Sequence, residues 1–465
     1  MITKISKIAI CTILCLCFLV SVSCSSASVT LLPFLETGNS DEDLSFGGYE
    51  FIIKNAPNPA DPTYPSSVTG DAILARYKEV EKQYDIKIVI EEEESGDYIS
   101  NLNLSSASGN KNSDLNITWI EYIHTAYNAG LVMPFDLVDG IDLSSGNLGS
   151  EAMIEAARFS DGHVYGIQAE KWPIMPNIVL TGMLYYNPWV ISEYNQVDPM
   201  EQYENGKWTW DTFQESSKAC TVSEEDIYGT VAMHDEFVLN AIFSNDGDVV
   251  KYNEDTGKYY VALGDDDSIE AIEWCQELVN QDKCMLVLSE EENVDDLIDN
   301  YFEEGISAFA NGDSNRGFGS FVENLDTGFN WIPFPTGPSN EDMSDNSRTI
   351  MYSSFYSIPL NFSFDDKIFS TVVNALFAPI DGQMEWRDYY CQYMIADDSG
   401  KSSEIFIKLL DGSKTANLHY FTIDDRVKHL AHPLRDIQQQ TGGIAEMLQK
   451  HVPPLQEHID NVFNN

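Results

Sequence analysis

An aromatic pair and an acid stand together where a strand is expected to end. The run Leu115–Trp119 has the apolar character of a buried strand, and Glu121 and Tyr122 follow it at the start of a predicted helix. In open α/β sheets, ligands bind beyond the carboxyl ends of the strands. Aromatic rings stack on the C–H faces of sugars, while carboxylates accept hydrogen bonds from sugar hydroxyls. This trio is therefore a candidate site for a polyhydroxylated ligand, the alternative being that Trp119 packs in the core.

Other aromatic residues have the same two interpretations. Trp172 and Tyr356 are candidates either for ligand stacking or for the core. Trp386 is a further candidate, but its neighbours have helical spacing and packing is the simpler explanation there. Trp210 is expected to pack beneath a helix that Thr209 caps.

Signatures of catalysis are weak. No H-E-x-x-H motif accompanies His429 and His432, and the sequence has neither a G-x-S-x-G elbow nor a Gly-rich phosphate loop followed by Lys and Ser or Thr. With 75 acidic residues some carboxylate pair always lies close, so a glycan hydrolase stays open as the less favoured function. The acid runs 91–94 and 265–267 are interpreted as solvated faces, and 253–257 as a hairpin turn rather than a calcium loop. We predict no metal and no cofactor.

Charge excludes two classes of partner. The 465 residues carry 26 Lys and Arg against 75 Asp and Glu, a formal net charge of −49. Nucleic-acid binding and electrostatic attachment to anionic lipid both need a basic surface, which this composition does not supply. With 43 % hydrophobic residues the chain can still bury a core.

The first 45 residues indicate export. Lys4 and Lys7 precede an apolar run over 8–22, too short to span a bilayer comfortably, which is typical of a secretory signal. Small residues before Cys24 favour signal cleavage after residue 23 and acylation of Cys24, with palmitate among its lipids. Residues 24–45 would then form the lipidated start and a flexible linker. The alternative is an ordinary secreted protein cut nearby.

Four cysteines lie beyond the signal and Cys24: Cys220, Cys275, Cys284 and Cys391. This is too few for a disulfide framework. Cys275 is expected to be a small buried thiol, although a Cys275–Cys284 bridge is the alternative.

Strands and helices alternate along the rest of the chain. Strands are predicted over 49–53, 86–90 and 115–119, with helices over 70–84 and 121–130. The second half repeats this style, with strands near 183–186, 227–232, 306–310, 329–334 and 351–358. Such alternation predicts an α/β fold with mixed, mostly parallel sheets flanked by helices.

Several short segments then occur in a fairly specific order and spacing: 114–122, 130–135, 161–167, 183–188, 208–213, 305–313, 333–338 and 356–359. Over residues 46–455 this order resembles the extracellular solute-binding proteins of ABC importers, in the oligosaccharide-type branch that includes maltose-binding protein. The resemblance implies a two-lobe, type II periplasmic-binding-protein-like fold that the chain crosses three times, near Thr181, Ser307 and Ser353. Lobe one would be 46–181 plus 307–352, and lobe two 182–306 plus 353–465.

The resemblance also implies site residues and a role. Trp119 and Glu121 match a family Trp and its polar neighbour. Asp235 and Phe237 match a carboxylate and an aromatic residue of the second lobe, and Asn311 and Asp313 match a turn at a strand end.

The implied function is capture of a mono- or oligosaccharide without catalysis, for delivery to the transmembrane subunits of an ABC permease. The protein would be an extracytoplasmic monomer, attached to the cell membrane through Cys24. There are two alternatives: the protein binds a different solute, such as a peptide, or it presents a ligand to a sensor kinase.

Overall fold

A computed structural model describes residues 44–61, 68–169, 171–172, 178–288, 294–314, 316, 328–340, 351–361, 363–385, 388, 401–412 and 427–463. The strands in these ranges are β1 (Tyr49–Lys54), β2 (Ile86–Glu91), β3 (Leu115–Trp119), β4 (Val132–Met133), β5 (Ile178–Leu180), β6 (Met183–Tyr186), β7 (Tyr228–Met233), β8 (Val250–Asn253), β9 (Lys258–Val261), β10 (Met285–Leu288), β11 (Ser307–Gly312), β12 (Asn330–Pro333) and β13 (Met351–Pro359).

The helices of the same ranges cover both sheets. They are α1 (Val68–Tyr84), α2 (Tyr98–Ser108), α3 (Ile120–Asn128), α4 (Glu151–Ala156), α5 (Pro188–Glu193), α6 (Pro199–Glu204), α7 (Trp210–Ala219), α8 (His234–Ser244), α9 (Asp266–Gln276), α10 (Val294–Glu303), α11 (Asp366–Leu376), α12 (Lys401–Gly412), α13 (His432–Gln438) and α14 (Ile444–Phe463). Short π-helical turns extend α9 over Glu277–Gln281 and precede α13 over Val427–Ala431.

The first sheet has the strand order β2-β1-β3-β13-β4, with β5 paired to β13. Strands β1, β2 and β3 are parallel, whereas β13 runs antiparallel to β3. Phe51 and Ile53 of β1 are both buried, and helix α1 turns Ile73, Tyr77 and Val80 inward at helical spacing. The predicted strand ending at Trp119 is confirmed.

The second sheet has the order β10-β7-β11-β6-β12, with β7 parallel to its neighbours β10 and β11 and with β6 antiparallel to β11 and β12. Helix α7 begins where predicted, because Thr209 and Thr212 form a reciprocal capping box. Beside this sheet β8 and β9 form an antiparallel hairpin, so the turn predicted over 253–257 is confirmed. Mixed, mostly parallel sheets flanked by helices are therefore present as expected.

Strand pairing corrects the expected division into lobes. Residues 307–352 were expected in the first lobe, yet β11 and β12 both belong to the second sheet. Conversely β13 lies beside β3 in the first sheet, although 353–465 was expected in the second lobe. The physical reason is the pairing of β11 with β7. The two strands are parallel, with Phe309 opposite Thr230, and every residue of β11 is buried in the second sheet.

The chain therefore passes between the sheets at three places. It crosses between β5 and β6, again between β12 and β13, and a third time after α11, which packs on α1. Beyond that point α12 contacts β12, while α13 contacts α8 and α9 of the second lobe. The second and third crossings thus lie later in the chain than the expected positions near Ser307 and Ser353.

Cys220, Cys275 and Cys284 are free, buried thiols. The alternative Cys275–Cys284 bridge is therefore wrong, and the expected buried state of Cys275 is confirmed. Burial away from water raises the pKa of all three thiols, which keeps them protonated. Among the described helices, none is both long and apolar enough to cross a bilayer.

Candidate ligand site at the carboxyl ends of the sheets

Trp119 stands at the carboxyl end of β3 with part of its surface exposed. Its backbone is extended and forms the cap of α3, whose first turn carries Glu121. An acid is favourable there because the amino end of a helix is partly positive. Tyr122 is half-buried and packs against the core. The structure therefore keeps the predicted trio together at this edge of the first sheet.

Tyr356 reaches the same face of the sheet as Trp119. Tyr356 lies opposite Ile117, and Trp119 lies opposite Ser354, so the two aromatic residues are diagonal neighbours across β3 and β13. Side chains in such positions point to one side of a sheet and lie within reach of each other. Burial raises the pKa of the Tyr356 hydroxyl, so it stays a neutral donor and acceptor.

Trp172 is also in this neighbourhood but inside the protein. Its ring is 2 % exposed and lies between Tyr77, at 6.1 Å, and Phe377, at 5.2 Å between centroids. Its indole N–H donates to the carbonyl of Leu376 at 2.8 Å. Phe377 in turn packs on Tyr356 at 4.8 Å. Trp172 therefore supports the aromatic face of the site from behind, and a stacking role is not favoured by its position.

A buried ion pair fills the carboxyl ends of β1 and β2. Lys54 Nζ lies 2.6 Å from Glu93 Oε1, and the two side chains are 10 % and 3 % exposed. Asn101 and Asn116 each donate to Glu93 at 2.8 Å. The interpretation of 91–94 as a solvated face is therefore wrong at Glu93, because three donors converge on its carboxylate and offset the cost of its burial.

Sequence reasoning missed this network. The signal that could have found it is a lysine that ends an apolar strand, at Lys54, since an ammonium group at such a position needs an acid partner. Asn55 strengthens the arrangement, because its side-chain oxygen accepts from the Glu93 backbone N–H at 2.8 Å. The left-handed backbone of Asn55 turns the chain at this edge.

Three candidate residues lie at one end of the second sheet, although Asn311 and Asp313 fall in the segment expected in the first lobe. Asp235 lies in the first turn of α8, just after β7, Asn311 lies at the end of β11, and Asp313 follows that strand directly. Because β7 and β11 are parallel and in register, these groups share one edge. Asp235 and Asn311 are buried, whereas Asp313 is half-buried and its carbonyl accepts from the Tyr185 hydroxyl at 2.8 Å.

Phe237 does not belong to that edge. The ring has no exposed surface and packs against Phe334 at 4.8 Å, Trp274 at 5.9 Å and Phe213 at 6.0 Å. Helix α8 begins at His234, so Phe237 lies one turn inside it and faces the core. The ring therefore has no face open to a ligand. Trp386 and Cys24 lie outside the described residues.

Both groups of candidate residues flank the first crossing. On the first-lobe side β5 pairs with the start of β13, where Gln168 donates to the Ser353 hydroxyl and, at 2.9 Å, to the Ser354 carbonyl. On the second-lobe side the Leu180 N–H donates to the Ser314 hydroxyl at 3.2 Å, and Asn240 donates to the Thr181 carbonyl at 2.9 Å. The edges that carry Trp119 and Asp313 thus meet at the segment that joins the lobes.

Two basic side chains at these edges are paired with acids. Lys54 is ion-paired with Glu93, and Arg316, which lies over Gly312 at the end of β11, is ion-paired with Asp299. In the part of the chain that the structure describes, no group of three or more His, Cys, Asp or Glu side chains is arranged to hold a metal ion. Aromatic surface, carboxylates and amides remain, which suits a ligand rich in hydroxyl groups.

Comparison with solved structures identifies the fold. A cyclo/maltodextrin-binding protein complexed with maltotetraose superimposes with a TM-score of 0.60 at 14 % identity, covering 88 % of this chain and 97 % of the other. The cyclic alpha-maltosyl-1,6-maltose binding protein of Arthrobacter globiformis gives 0.61 at 12 % identity, with coverage of 89 % and 100 %. UgpB of Mycobacterium tuberculosis, in complex with glycerophosphocholine, gives 0.60 at 13 % identity, with coverage of 89 % and 99 %.

These likenesses establish the expected two-lobe solute-binding fold. Comparison with curated protein sequences returns no match. The sequence profile of one family, described as bacterial extracellular solute-binding protein, matches residues 75–321, which is more than half of the chain. The chain therefore belongs to the bacterial extracellular solute-binding protein family.

Proposed function

We propose that this protein captures a neutral carbohydrate between its two lobes and delivers it to the transmembrane subunits of an ABC importer. The observation that carries the proposal is the placement of Trp119, partly exposed, at the end of β3 beside Glu121 and diagonal to Tyr356. A sugar ring would stack on the indole, and its hydroxyl groups would bond to the neighbouring carboxylate and amide groups.

The charged side chains of the site distinguish a neutral ligand from an anionic one. A phosphodiester or an acidic sugar would be bound best by a cation without an acid partner, whereas of the described residues at these edges Lys54 is paired with Glu93 and Arg316 with Asp299. The solved relatives include binders of maltotetraose and of glycerophosphocholine at the same TM-score, so the fold alone does not decide between these ligands. The buried ion pair favours the neutral solute.

Calorimetric titration against a panel of neutral oligosaccharides tests the proposal. At least one should bind with micromolar affinity or better, and Trp119→Ala should weaken that binding about tenfold or more, about 1.4 kcal/mol. Trp189→Ala is the matched control, because Trp189 is 57 % exposed on α5 and lies beside Gly305, at the amino end of β11 rather than at its carboxyl end. Unchanged affinity in Trp119→Ala would remove this residue from the site, and binding of glycerophosphodiesters alone would overturn the neutral ligand.

We also propose that the protein makes and breaks no bond in its ligand. We further propose that it is a monomer, and that lipid on Cys24 holds it at the outer face of the membrane. Labelled oligosaccharides should come back unchanged after incubation with the purified protein. Cys24→Ala should release the protein into the soluble fraction and abolish incorporation of a palmitate analogue, and light scattering should give the mass of one chain. A shortened glycan, or a Cys24→Ala variant that still partitions with membranes, would contradict the corresponding part.

A further inference from the structure

Helix α14 belongs to the second lobe over most of its length. It packs against β9 and the turn before α13. Gln456 fixes this position, since its side-chain oxygen accepts from the Val261 N–H at 2.8 Å and its amide donates to the Tyr259 carbonyl at 3.3 Å. These two hydrogen bonds tie the helix to backbone groups of the β8–β9 hairpin.

The last turn of α14 reaches the other lobe. The ring of Phe463 lies 5.2 Å from Tyr259 of the hairpin and 6.3 Å from His124 of α3. Helix α3 packs on α2 and on the strands of the first sheet. Phe463 therefore touches one aromatic residue of each lobe, in addition to the three places where the chain itself crosses.

The surface that contacts Phe463 is aromatic. His124 is 3 % exposed and lies 5.2 Å from Phe159 and 5.9 Å from Tyr127. Phe159 and Tyr165 stack at 5.2 Å with an interplanar angle of 14°. Burial, with a smaller contribution from His458 of α14, lowers the pKa of His124. His124 is thus a neutral aromatic partner at neutral pH.

Helix α3 is also the element that begins at the candidate ligand site. Glu121 precedes His124 by three residues, which places the two side chains on neighbouring positions of one helical face. A displacement of α3 relative to α14 would move Trp119 and Glu121 relative to the second lobe. The contact of Phe463 thus acts on the same helix that presents the ligand-facing residues.

We propose that Phe463 is a positioning residue: its packing between Tyr259 and His124 sets the angle between the two lobes in the unliganded protein. The consequence for ligand affinity rests on the proposed capture function, whereas the consequence for the interlobe angle does not. A ligand that contacts both lobes has an apparent affinity proportional to the fraction of protein whose interlobe angle allows binding. A contact that changes this angle therefore also changes the affinity.

The test compares Phe463→Ala with two matched variants in the full mature protein. Phe463→Tyr keeps the ring and serves as rescue. Tyr252→Ala removes another ring that packs on Tyr259, at 5.0 Å, but lies on the second lobe alone. We expect Phe463→Ala to change the radius of gyration of the unliganded protein in solution X-ray scattering, with Phe463→Tyr and Tyr252→Ala matching the wild type. Affinity for a bound oligosaccharide should change by about fivefold or more only in Phe463→Ala.

Two results would overturn the proposal: an unchanged radius of gyration in folded Phe463→Ala, or an equal change in Tyr252→Ala. If Phe463→Ala does not fold, Phe463→Leu, which retains apolar volume without the ring, is judged by the same two criteria. The scattering measurement needs no ligand, so absence of carbohydrate binding would count against the proposed function and leave the positioning role to be decided by scattering.

Discussion

Lys54 and Glu93 are the residues whose charges most constrain the candidate site. Both are almost fully buried and they share one short ion pair. We expect Lys54→Met to cost roughly 3–5 kcal/mol of unfolding free energy in urea titrations, because it leaves the Glu93 carboxylate buried without a counter-charge. The double variant Lys54→Met/Glu93→Met should recover much of that loss.

Lys87→Met is the control for that substitution. Lys87 pairs with Glu50 at 2.9 Å on the neighbouring strands, but both side chains are more than half exposed. Exposed pairs are worth about 0–1 kcal/mol, so this variant should stay within that range. Equal losses in Lys54→Met and Lys87→Met would show that the Lys54–Glu93 pair is effectively solvated.

His124 should make the protein sensitive to acid. Burial, together with the nearby His458, lowers its pKa from 6.5 to about 4. Between these values the unfolded chain binds a proton that the folded chain does not, so stability falls as the pH falls from 6.5 towards 4. At pH 5 the free energy of unfolding should be lower by about 2 kcal/mol because of His124. In urea titrations at pH 7 and pH 5, His124→Phe should remove this part of the difference in unfolding free energy.

His163 provides the opposite case. Its hydrogen bond to Asp136, at 2.8 Å, raises its pKa, so it favours the folded state at low pH and ceases to do so as the pH rises through that raised value. His163→Asn should therefore leave the acid sensitivity unchanged or slightly larger. An acid sensitivity that His163→Asn reduces as much as His124→Phe does would contradict the assignment to His124.

At this scale the sequence predicts residues at strand ends better than it predicts which distant residues meet. Trp119, Glu121 and Tyr122 could be located because an apolar strand visibly ends there. Phe237 was misjudged because its position in the second lobe depends on α8, a helix that begins immediately after β7 and whose inward face the local sequence does not reveal. The Lys54–Glu93 pair was missed because its partners are 39 residues apart and meet only when β1 and β2 align.

At Gly229, strand β7 comes very close to the backbone of helix α7. A Cβ atom on Gly229 would lie 1.9 Å from the backbone oxygen of Ser217, so only glycine lets this strand approach this helix. Gly229→Ala should therefore cost about 3 kcal/mol or more in thermal or urea unfolding, since the backbone itself would have to shift.

Gly96→Ala is the matched control. A Cβ atom there would meet nothing within 4 Å, and the backbone does not have a positive φ. Its effect should stay within about 0.5 kcal/mol. If both alanine variants unfold at the same denaturant concentration, the close approach of β7 and α7 is not as the structure has it.

Periodicity in the sequence predicts where strands and helices lie better than it predicts which strands pair. The strand ending at Trp119 and the helix beginning at Trp210 have the predicted bounds, because an apolar run and a capping box mark them locally. The sheet to which β11, β12 and β13 belong could not be obtained in that way. Strand pairing is decided by contacts between distant segments, and β13 carries the same alternation whether it lies beside β3 or beside β6.

For the whole molecule the formal charge of −49 becomes the dominant physical fact. Among the acids that the structure describes, most are exposed, and the mutual repulsion of such carboxylates favours expanded states over the compact one. Chloride salts screen such repulsion, with a Debye length of about 10 Å at 0.1 M and about 3 Å at 1 M. We therefore expect the melting temperature to rise with sodium chloride and to level off by about 0.5 M, when neighbouring surface charges are already screened.

The size of this rise can be bounded. If screening relieves on the order of 1 kcal/mol, the melting temperature should increase by about 2 °C or less for a chain of this length. Sucrose at matched osmolality acts by exclusion from the surface rather than by screening, so its effect should grow steadily and without a plateau. A melting temperature that falls with added sodium chloride would mean that attractive ion pairs, such as Lys54–Glu93, outweigh the repulsion among the surface acids.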